Sequence, residues 1–557
     1  MSARLSNADI AEKLFGLAYL MAARKENPFK VKAYRRAART VRALGESVAE
    51  MVREGADLTQ FSGIGTAISG VIREIVETGS TRQIDSLQAQ VSPEIAGVLR
   101  FPQLDPKRVL RIYKKLKIST VEELKERLES GEIGRTLGAR MDQHVRRALA
   151  EHHEMLLYEA DRTVPAVEHF LVERCGVARA EAAGEYRRRV EVVREMHFLI
   201  ETADFGAVIE KLKNYGGGAD VLESSDSSAL FRLSAGMLRV TAASADKWGP
   251  ALIAATGSRV HLEELEKHGL AALLAGSEHC PTEISAYSSL GLQFIPPELR
   301  EGRDEIELAA RHGLPTLVSV HDIRGELHAH STSSDGVDTI EDMVEAARER
   351  GLGYIGISDH SQSLKIARGL SIARLRNQLQ FIDRLNERVK DIRILKSAEV
   401  DILEDGSLDY PDDVLKDLDY TVCSIHSRFG LNKHEQTTRI LRAMDNPHFT
   451  ILGHATGRLL LKRPGYEIDI DRVIEQARAN GCFVELNSSP DRLDLSADHA
   501  RLAREAGVRI AITTDAHSTR ELGYLRFGVD QARRAGLERQ STLNTLDCDE
   551  FLQAARR

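Results

Sequence analysis

GELHAHS (325–331) and RIAITTDAHS (509–518) bracket the stretch whose reading decides the fold. Each is an apolar, strand-like run ending in two metal-type residues two positions apart. The pairs are His328 with His330 and Asp515 with His517. That spacing puts both side chains on one face of a strand. Between them lie five more strand-like runs: YIGISDH (354–360), RILKSAEVDI (393–402), YTVCSIHS (420–427), FTILGH (449–454) and CFVELNSS (482–489). Helical stretches such as TIEDMVEAARERG (339–351) and LSIARLRNQLQFIDRLNERV (370–389) alternate with them. This alternation, strict from about residue 322, predicts a parallel sheet covered by helices, open or closed into a barrel.

His328, His330, Asp335, His360, Glu399, His426, His454, Asp515 and His517 all fall at or just past the ends of these strands. Active sites of β/α barrels lie at that end. One histidine there is usually a satisfied polar residue, but nine such residues in order form a specific combination. Imidazole and carboxylate together suit Mn²⁺, Zn²⁺ or Fe²⁺. A set of this size implies more than one ion, and metals about 3.5–4 Å apart are the usual device for hydrolysing phosphate esters. Glu399 is the best bridge between two ions, because a carboxylate has two oxygens. Asp359, beside His360, is expected to support a ligand rather than be one. Arg458 and Arg492 are expected to hold substrate phosphate, since a guanidinium pairs well with it. The bland alternative for both is an ion pair with a neighbouring acid.

Outward from this region the chain changes character. At 557 residues it is too long for one core, and several domains are expected. Residues 151–315 mix alternating runs such as LFRLSAGMLRVTAA with helical ones such as VHLEELEKHGLAALLA, predicting an α+β region. FIPPELREGRDEIELAARHGLP reads as a linker leading into a short helix. Residues 1–150 read as short helices. They carry a formal charge of +8 against −16 for the remainder, so a polyanionic partner is one reading and a solvated helical surface the other. No run is long and apolar enough for a membrane helix. The amphipathic start carries Asp9 and Glu12, as a domain helix rather than a signal peptide would. The five cysteines are scattered, without CxxC, and read as reduced thiols of a cytoplasmic protein.

The combination HxH, SDGV, SDH, AEVDI, SIHS, GH and TDAH closely resembles the PHP (polymerase and histidinol phosphatase) domain family, from about Asp322 to Arg557. All nine ligand positions hold the residue types of that family. The resemblance implies a distorted seven-stranded β/α barrel with two or three divalent ions, hydrolysing a phosphate ester with metal-activated water. Glu399 and Asp515 would act in catalysis as metal ligands, with Arg458 on the phosphate.

FSGIGTAISGVIREIVETGS contains Gly63-Ile64-Gly65 between two helical stretches, as in a helix-hairpin-helix. Glycines there let backbone N–H groups approach a DNA phosphate at a helix N-terminus. Lys30, Lys32, Tyr34, Arg35 and Arg36 cluster just upstream. A second hairpin, FPQLDPKRVLRIYKKL, has Gln103, Leu104 and Asp105 in place of the glycines. These segments resemble the front end of bacterial family X DNA polymerases, relatives of polymerase beta that are often fused to a C-terminal PHP domain. The resemblance covers the whole chain. It implies a helical DNA-binding domain (1–90), a second helical, fingers-like region (91–150), a polymerase palm and thumb (151–315) and a PHP domain (322–557).

The middle departs from that pattern. Glu185 stands for the serine that helps hold the nucleotide's phosphates, Glu195 and His197 for the first two metal-binding aspartates, and Met237 for the third. Arg187-Arg188 and Thr256-Gly257-Ser258 are kept. Histidine is a poor Mg²⁺ ligand and methionine is none. The expectation is a palm that keeps its fold without its chemistry. The chain would then process the 3′ ends of gapped or nicked DNA in repair, with 3′–5′ exonuclease and abasic-site endonuclease activity as the family precedents. The alternatives are a working polymerase with an attached nuclease, a DNA-binding scaffold, and a small-molecule phosphatase.

Overall fold

The computed structural model describes residues 5–24, 26–89, 111–112, 115–118, 121–138, 141–142, 145–146 and 154–556. Most of the second hairpin expected at 101–116 lies outside them.

The front end is helical. Helices α1 (Asn7–Ala23), α2 (Pro28–Ala43), α3 (Val48–Arg53) and α4 (Thr66–Thr78) enclose a core of Leu14, Leu17, Val41, Ile72 and their neighbours. Ser6 begins α1 with a reciprocal cap on Asp9, and Asn27 caps α2 ahead of Pro28.

The central region is α+β. Short β1 (Met155–Leu156) pairs with β3 (Val192–Val193). The main sheet runs β2 (Arg179–Ala183), β4 (Glu195–Glu201), β7 (Gly236–Ala242), β6 (Ser228–Leu233), β5 (Asp220–Ser224) in that spatial order. Along β4, Met196, Phe198 and Ile200 enter the core beneath the helix Leu157–His169. Period-two alternation puts Glu195 and His197 on the opposite face. Helices from Trp248 onward build a smaller cluster. The stretch read as a linker is part of that cluster: Ile295, Ile306 and Ala309 are in its core, and Arg300 is wholly buried with its Nε donating to the Ile295 carbonyl. Prolines marked a turn correctly, but burial of the apolar positions beyond it overrode the reading of a free connection.

From Gly325 the chain forms parallel strands β8 (Gly325–Ala329), β9 (Tyr354–Ile357), β10 (Arg393–Lys396), β11 (Glu399–Asp401), β12 (Val422–Ser424), β13 (Ile451–Leu452), β14 (Phe483–Asn487) and β15 (Ile510–Thr513). Neighbours in sequence are neighbours in space. β10 pairs with β9 and, after two intervening residues, Glu399 of β11 bridges to His360 just past β9, so β10 and β11 act as one stave and the barrel has seven. It closes where the His330 N–H donates to the Ala516 carbonyl at 2.8 Å and Ala329 bridges to Ala516. Val, Ile, Leu and Ala fill the strands on both faces, as a helix-covered parallel sheet demands.

The regions are joined by polar ties. Arg189 donates to Asp161 at 2.9 Å and to Asp530 at 2.8 Å, linking the central region to the barrel's helix Leu525–Arg534. Leu493 and Phe527 of the barrel are buried in the central core. The front end docks through the Ser234 hydroxyl on the Arg42 carbonyl at 2.9 Å and the Tyr215 hydroxyl on that of Ala43 at 3.2 Å.

Candidate metal centre

The strand ends bring all nine expected residues together. Glu399, at the start of β11, lies at the middle. Its Oε1 faces His454 Nε2 at 2.9 Å and His426 Nε2 at 3.2 Å. Its Oε2 faces His360 Nδ1 at 2.7 Å, His328 Nε2 at 3.5 Å and His330 Nε2 at 3.6 Å. One carboxylate thus divides two imidazole sets, the geometry of a bridge. Asp515 Oδ1 lies 3.1 Å from His330 Nε2 and 3.6 Å from His328 Nε2. Asp335 Oδ1 lies 3.4 Å from His517 Nε2 and 3.5 Å from His360 Nε2. Three overlapping ligand sets result: His330, Asp335, His360 and His517; His328, His330 and Asp515; His360, Glu399 and His426. They form a site for two or three ions.

The donors fit cations better than each other. His360 Nδ1 and Glu399 Oε2 are 2.7 Å apart, yet neither makes a hydrogen bond, and His328 Nε2 and His330 Nδ1 are likewise buried without one. Burial alone would lower the pKa of His328, but Glu485, Asp515 and Glu399 hold it well above the ordinary range. Against the same burial penalty, Glu399 and Asp335 raise His360 to about 10, Glu399 and Asp401 raise His426 to about 9, and Asp335 and Asp515 raise His517 to about 9. His330 goes the other way, down to about 3, through burial and its neighbours His517 and His360. Glu399 and Asp515 are held far below the carboxylate range despite burial, by His426 and His360 and by His328 and His330 respectively. Such a cluster of charge calls for bound cations, and their uptake must displace protons from the imidazoles.

The supports are as specific as the ligands. Glu485, on β14, accepts from Thr513 Oγ1 at 2.5 Å, faces His328 Nδ1 at 2.6 Å and takes the His454 N–H. Asp401 Oδ1 lies 2.7 Å from His426 Nδ1. Asp359 accepts from the Ser331 N–H at 2.8 Å and the Ser331 hydroxyl at 2.6 Å, pinning the turn that carries Asp335. Sequence reading missed Glu485 and Asp401. The signal for Glu485 was a lone acid within an apolar strand. His454 and Asp515 have φ of +24° and +52°, where side chains rarely go. Such backbone costs on the order of 1–3 kcal/mol and persists only where its surroundings impose it. Asp335 and His517 are a third exposed, whereas His328, His330 and Glu399 are buried, so the site opens on the Asp335–His517 side.

The two arginines differ. Arg492 Nε is 3.6 Å from Asp515 Oδ2, beside the ligands. Arg458 is engaged elsewhere: Nη1 donates to Glu191 of the central region at 3.1 Å, and Nη2 to Glu191 and the Leu493 carbonyl.

In the hairpin, Gly63 has φ +89°, and a Cβ on it would stand 2.8 Å from Arg36 Cγ. Gly65 begins α4 with no side-chain cap and open space around it. Lys30, Lys32, Arg35 and Arg36 are exposed on α2. Ile64 is a core residue, and Tyr34 is buried with its hydroxyl 3.2 Å from Gln83 Oε1. These two shape the hairpin from beneath.

In the palm, β4 and β7 pair Glu195 with Met237 and His197 with Arg239. Arg239 clamps Glu195 at 2.8 and 3.2 Å. Glu185 accepts from the Arg194 N–H at 2.6 Å and its guanidinium at 2.9 Å. Arg187 is held by Glu283 and Thr256, and Arg188 by Glu301 and the Thr256 carbonyl. Glu185, Arg187, Arg188 and Glu195 thus each have an internal partner.

Comparison with known proteins follows the same divisions. The helix-hairpin-helix domain family matches residues 5–81 and the PHP domain family residues 326–489. The DNA polymerase/3′-5′ exonuclease PolX of Bacillus subtilis is 35% identical over 572 residues, covering 98% of this chain and 99% of the relative. A probable phosphatase of Thermoanaerobacter sp. (strain X514) is 30% identical over 231 residues, 40% of this chain and 89% of that protein. One of Syntrophotalea carbinolica is 26% identical over 230 residues, 39% and 90% of the two chains. An end-to-end relative, a helix-hairpin-helix at the front and a multi-metal histidine–carboxylate centre in a seven-stave barrel lead to one conclusion: this chain belongs to the bacterial PolX family whose members carry a C-terminal PHP domain, and it has the site of a metal-dependent phosphoesterase.

Proposed function

We propose that this protein processes DNA ends, removing 3′ nucleotides or damaged 3′ ends from gapped or nicked DNA, with abasic-site cleavage within reach of the same site. The observation that carries the reading is Glu399, which faces imidazoles through both oxygens in a centre filled at every expected position. When bound, Mn²⁺, Zn²⁺ or Fe²⁺ would supply Lewis acidity and water of near-neutral pKa. His328, His330, Asp335, His360, Glu399, His426, His454, Asp515 and His517 would hold the ions. Glu485 and Asp401 orient the His328 and His426 rings, and Arg492 is better placed than Arg458 to meet a phosphate. The hairpin at Gly63-Ile64-Gly65, with Lys30, Lys32 and Arg35 beside it, grips the DNA backbone, while Tyr34 supports it from the core. The palm serves as a platform, since Glu195 is neutralised by Arg239 and Met237 offers no ligand.

A second reading, a working polymerase, is favoured by the name of the Bacillus subtilis relative and by the retained Thr256-Gly257-Ser258. A 5′-labelled primer in a gapped duplex with Mn²⁺, with and without nucleotides, separates them. Shortening in both lanes, lost in His330→Ala with DNA affinity retained, is the expected result. Lengthening with nucleotides would restore the polymerase, and shortening by the variant would sink the site.

A further inference from the structure

Arg520 is exposed and lies three residues beyond His517, one of the two part-exposed side chains of the metal centre. Its guanidinium donates to the Tyr158 hydroxyl of the central region at 3.3 Å. The same oxygen accepts from Arg162 at 2.6 Å, whose guanidinium also lies 4.6 Å over the Tyr158 ring. Two exposed guanidinium groups, one from each domain, therefore meet on one neutral phenol oxygen. Among the described residues neither has a carboxylate within ion-pair distance. The nearby acids are engaged: Asp161 holds Arg189 and Arg526, and Glu521 accepts the His517 N–H at 2.9 Å. The ring itself is fixed, edge-on to Tyr524 at 5.7 Å and to Phe527 at 5.8 Å. Two like charges gathered around a rigid neutral acceptor repel each other, and an anion between them relieves that repulsion.

We propose that Arg162, Tyr158 and Arg520 form a phosphate subsite at the seam between the central region and the barrel. It would hold a backbone phosphodiester of the strand whose end lies at the metals. This rests on the reading of the centre as a DNA-end phosphodiesterase and adds to it a part for the central region. Three residues of chain span at most about 11 Å, so the subsite lies within a few nucleotides of His517. It also lies beside the front end, since Arg39 of α2 pairs with Glu159, the residue next to Tyr158, at 3.3 Å. A strand leaving the hairpin could follow this edge to the metals.

The test compares wild type with Arg520→Gln, Arg162→Gln and Arg520→Glu, all with Mn²⁺. The substrates are a single-stranded oligonucleotide of about six nucleotides and bis(p-nitrophenyl) phosphate, which is too short to reach the seam. The ratio of kcat/KM for the oligonucleotide to that for the small ester should fall about tenfold in each glutamine variant and further in the glutamate one. Anisotropy of the labelled oligonucleotide in chelator gives a readout independent of activity. The slope of log affinity against log salt should flatten by about 0.7 for each arginine removed. An unchanged ratio, whether both activities fall or neither does, overturns the subsite. A wild type that hydrolyses the small ester but leaves every DNA substrate intact overturns the underlying reading instead.

Discussion

Glu485 has no solvent contact, and its oxygens meet His328, Thr513 and the His454 amide, so it sets two ligands at once. A carboxylate behind a ligating imidazole fixes its tautomer and raises its basicity. Glu485→Gln should weaken metal binding about 10–100-fold, measured by competition with a chromophoric chelator. Unchanged affinity would remove Glu485 from the site. His197 offers a test of the palm. Burial, aided by the charge of Arg239, lowers its pKa to about 4. The unfolded chain titrates near 6.5, so between these values it binds the extra proton and the fold loses stability as pH falls. From pH 7 to pH 5, wild type should lose on the order of 1–2 kcal/mol more than His197→Gln, read from urea midpoints. Parallel losses in the two proteins would show that His197 is not the group titrating.

At the scale of elements, the hairpin separates two glycine roles. Gly63 is favoured by the fold, because its φ of +89° strains any side chain and a Cβ there would also force Arg36 to move. Gly65 has an ordinary φ of −88° and nothing within reach of a Cβ, so the fold tolerates a larger residue there. In the proposed grip, its smallness leaves the start of α4 open to a DNA phosphate. Gly65→Val should therefore fold normally yet bind gapped duplex at least about tenfold more weakly by anisotropy. Undiminished binding would move the grip elsewhere. Among the barrel strands, the candidate ligands stood out in the sequence because they sit at or just past apolar runs that must end at the same rim. The left-handed backbone of His454 and Asp515 left no trace in the sequence, since neither position is glycine.

At the scale of the molecule, the central region is bolted to the barrel by groups that sequence assigned elsewhere or passed over. Arg458, expected on a phosphate, ties Glu191 to Leu493. Arg188, from the retained pair, shares Glu301 with Arg534 of the barrel. Arg189 sits between Asp161 and Asp530, all three largely buried. Removing its charge strands Asp530 and leaves Asp161 with Arg526 alone, and breaking such a buried pair costs about 3–5 kcal/mol. Arg189→Met should lower the urea midpoint accordingly and raise amide exchange first in the helices Leu157–His169 and Leu525–Arg534. A variant as stable as wild type would mean that the apolar contacts of Leu493 and Phe527 hold the joint alone.

Periodicity and residue type by themselves determined the strand and helix order of the barrel, the nine candidate ligands that gather at its rim and the hairpin at Gly63-Ile64-Gly65. These are local properties: a repeat of two or 3.6 residues, a polar group at the end of an apolar run, a glycine at a turn. Which oxygen of Glu399 faces which ring, the support from Glu485 and Asp401, and the partners of Arg458, Arg187 and Glu195 were decided only by tertiary structure. The partners named here lie between 25 and 267 positions apart in the chain and meet only in the fold. A guanidinium or carboxylate looks the same in sequence whether it faces a phosphate or a partner across a domain seam, and only the packing of the seam settles its occupant.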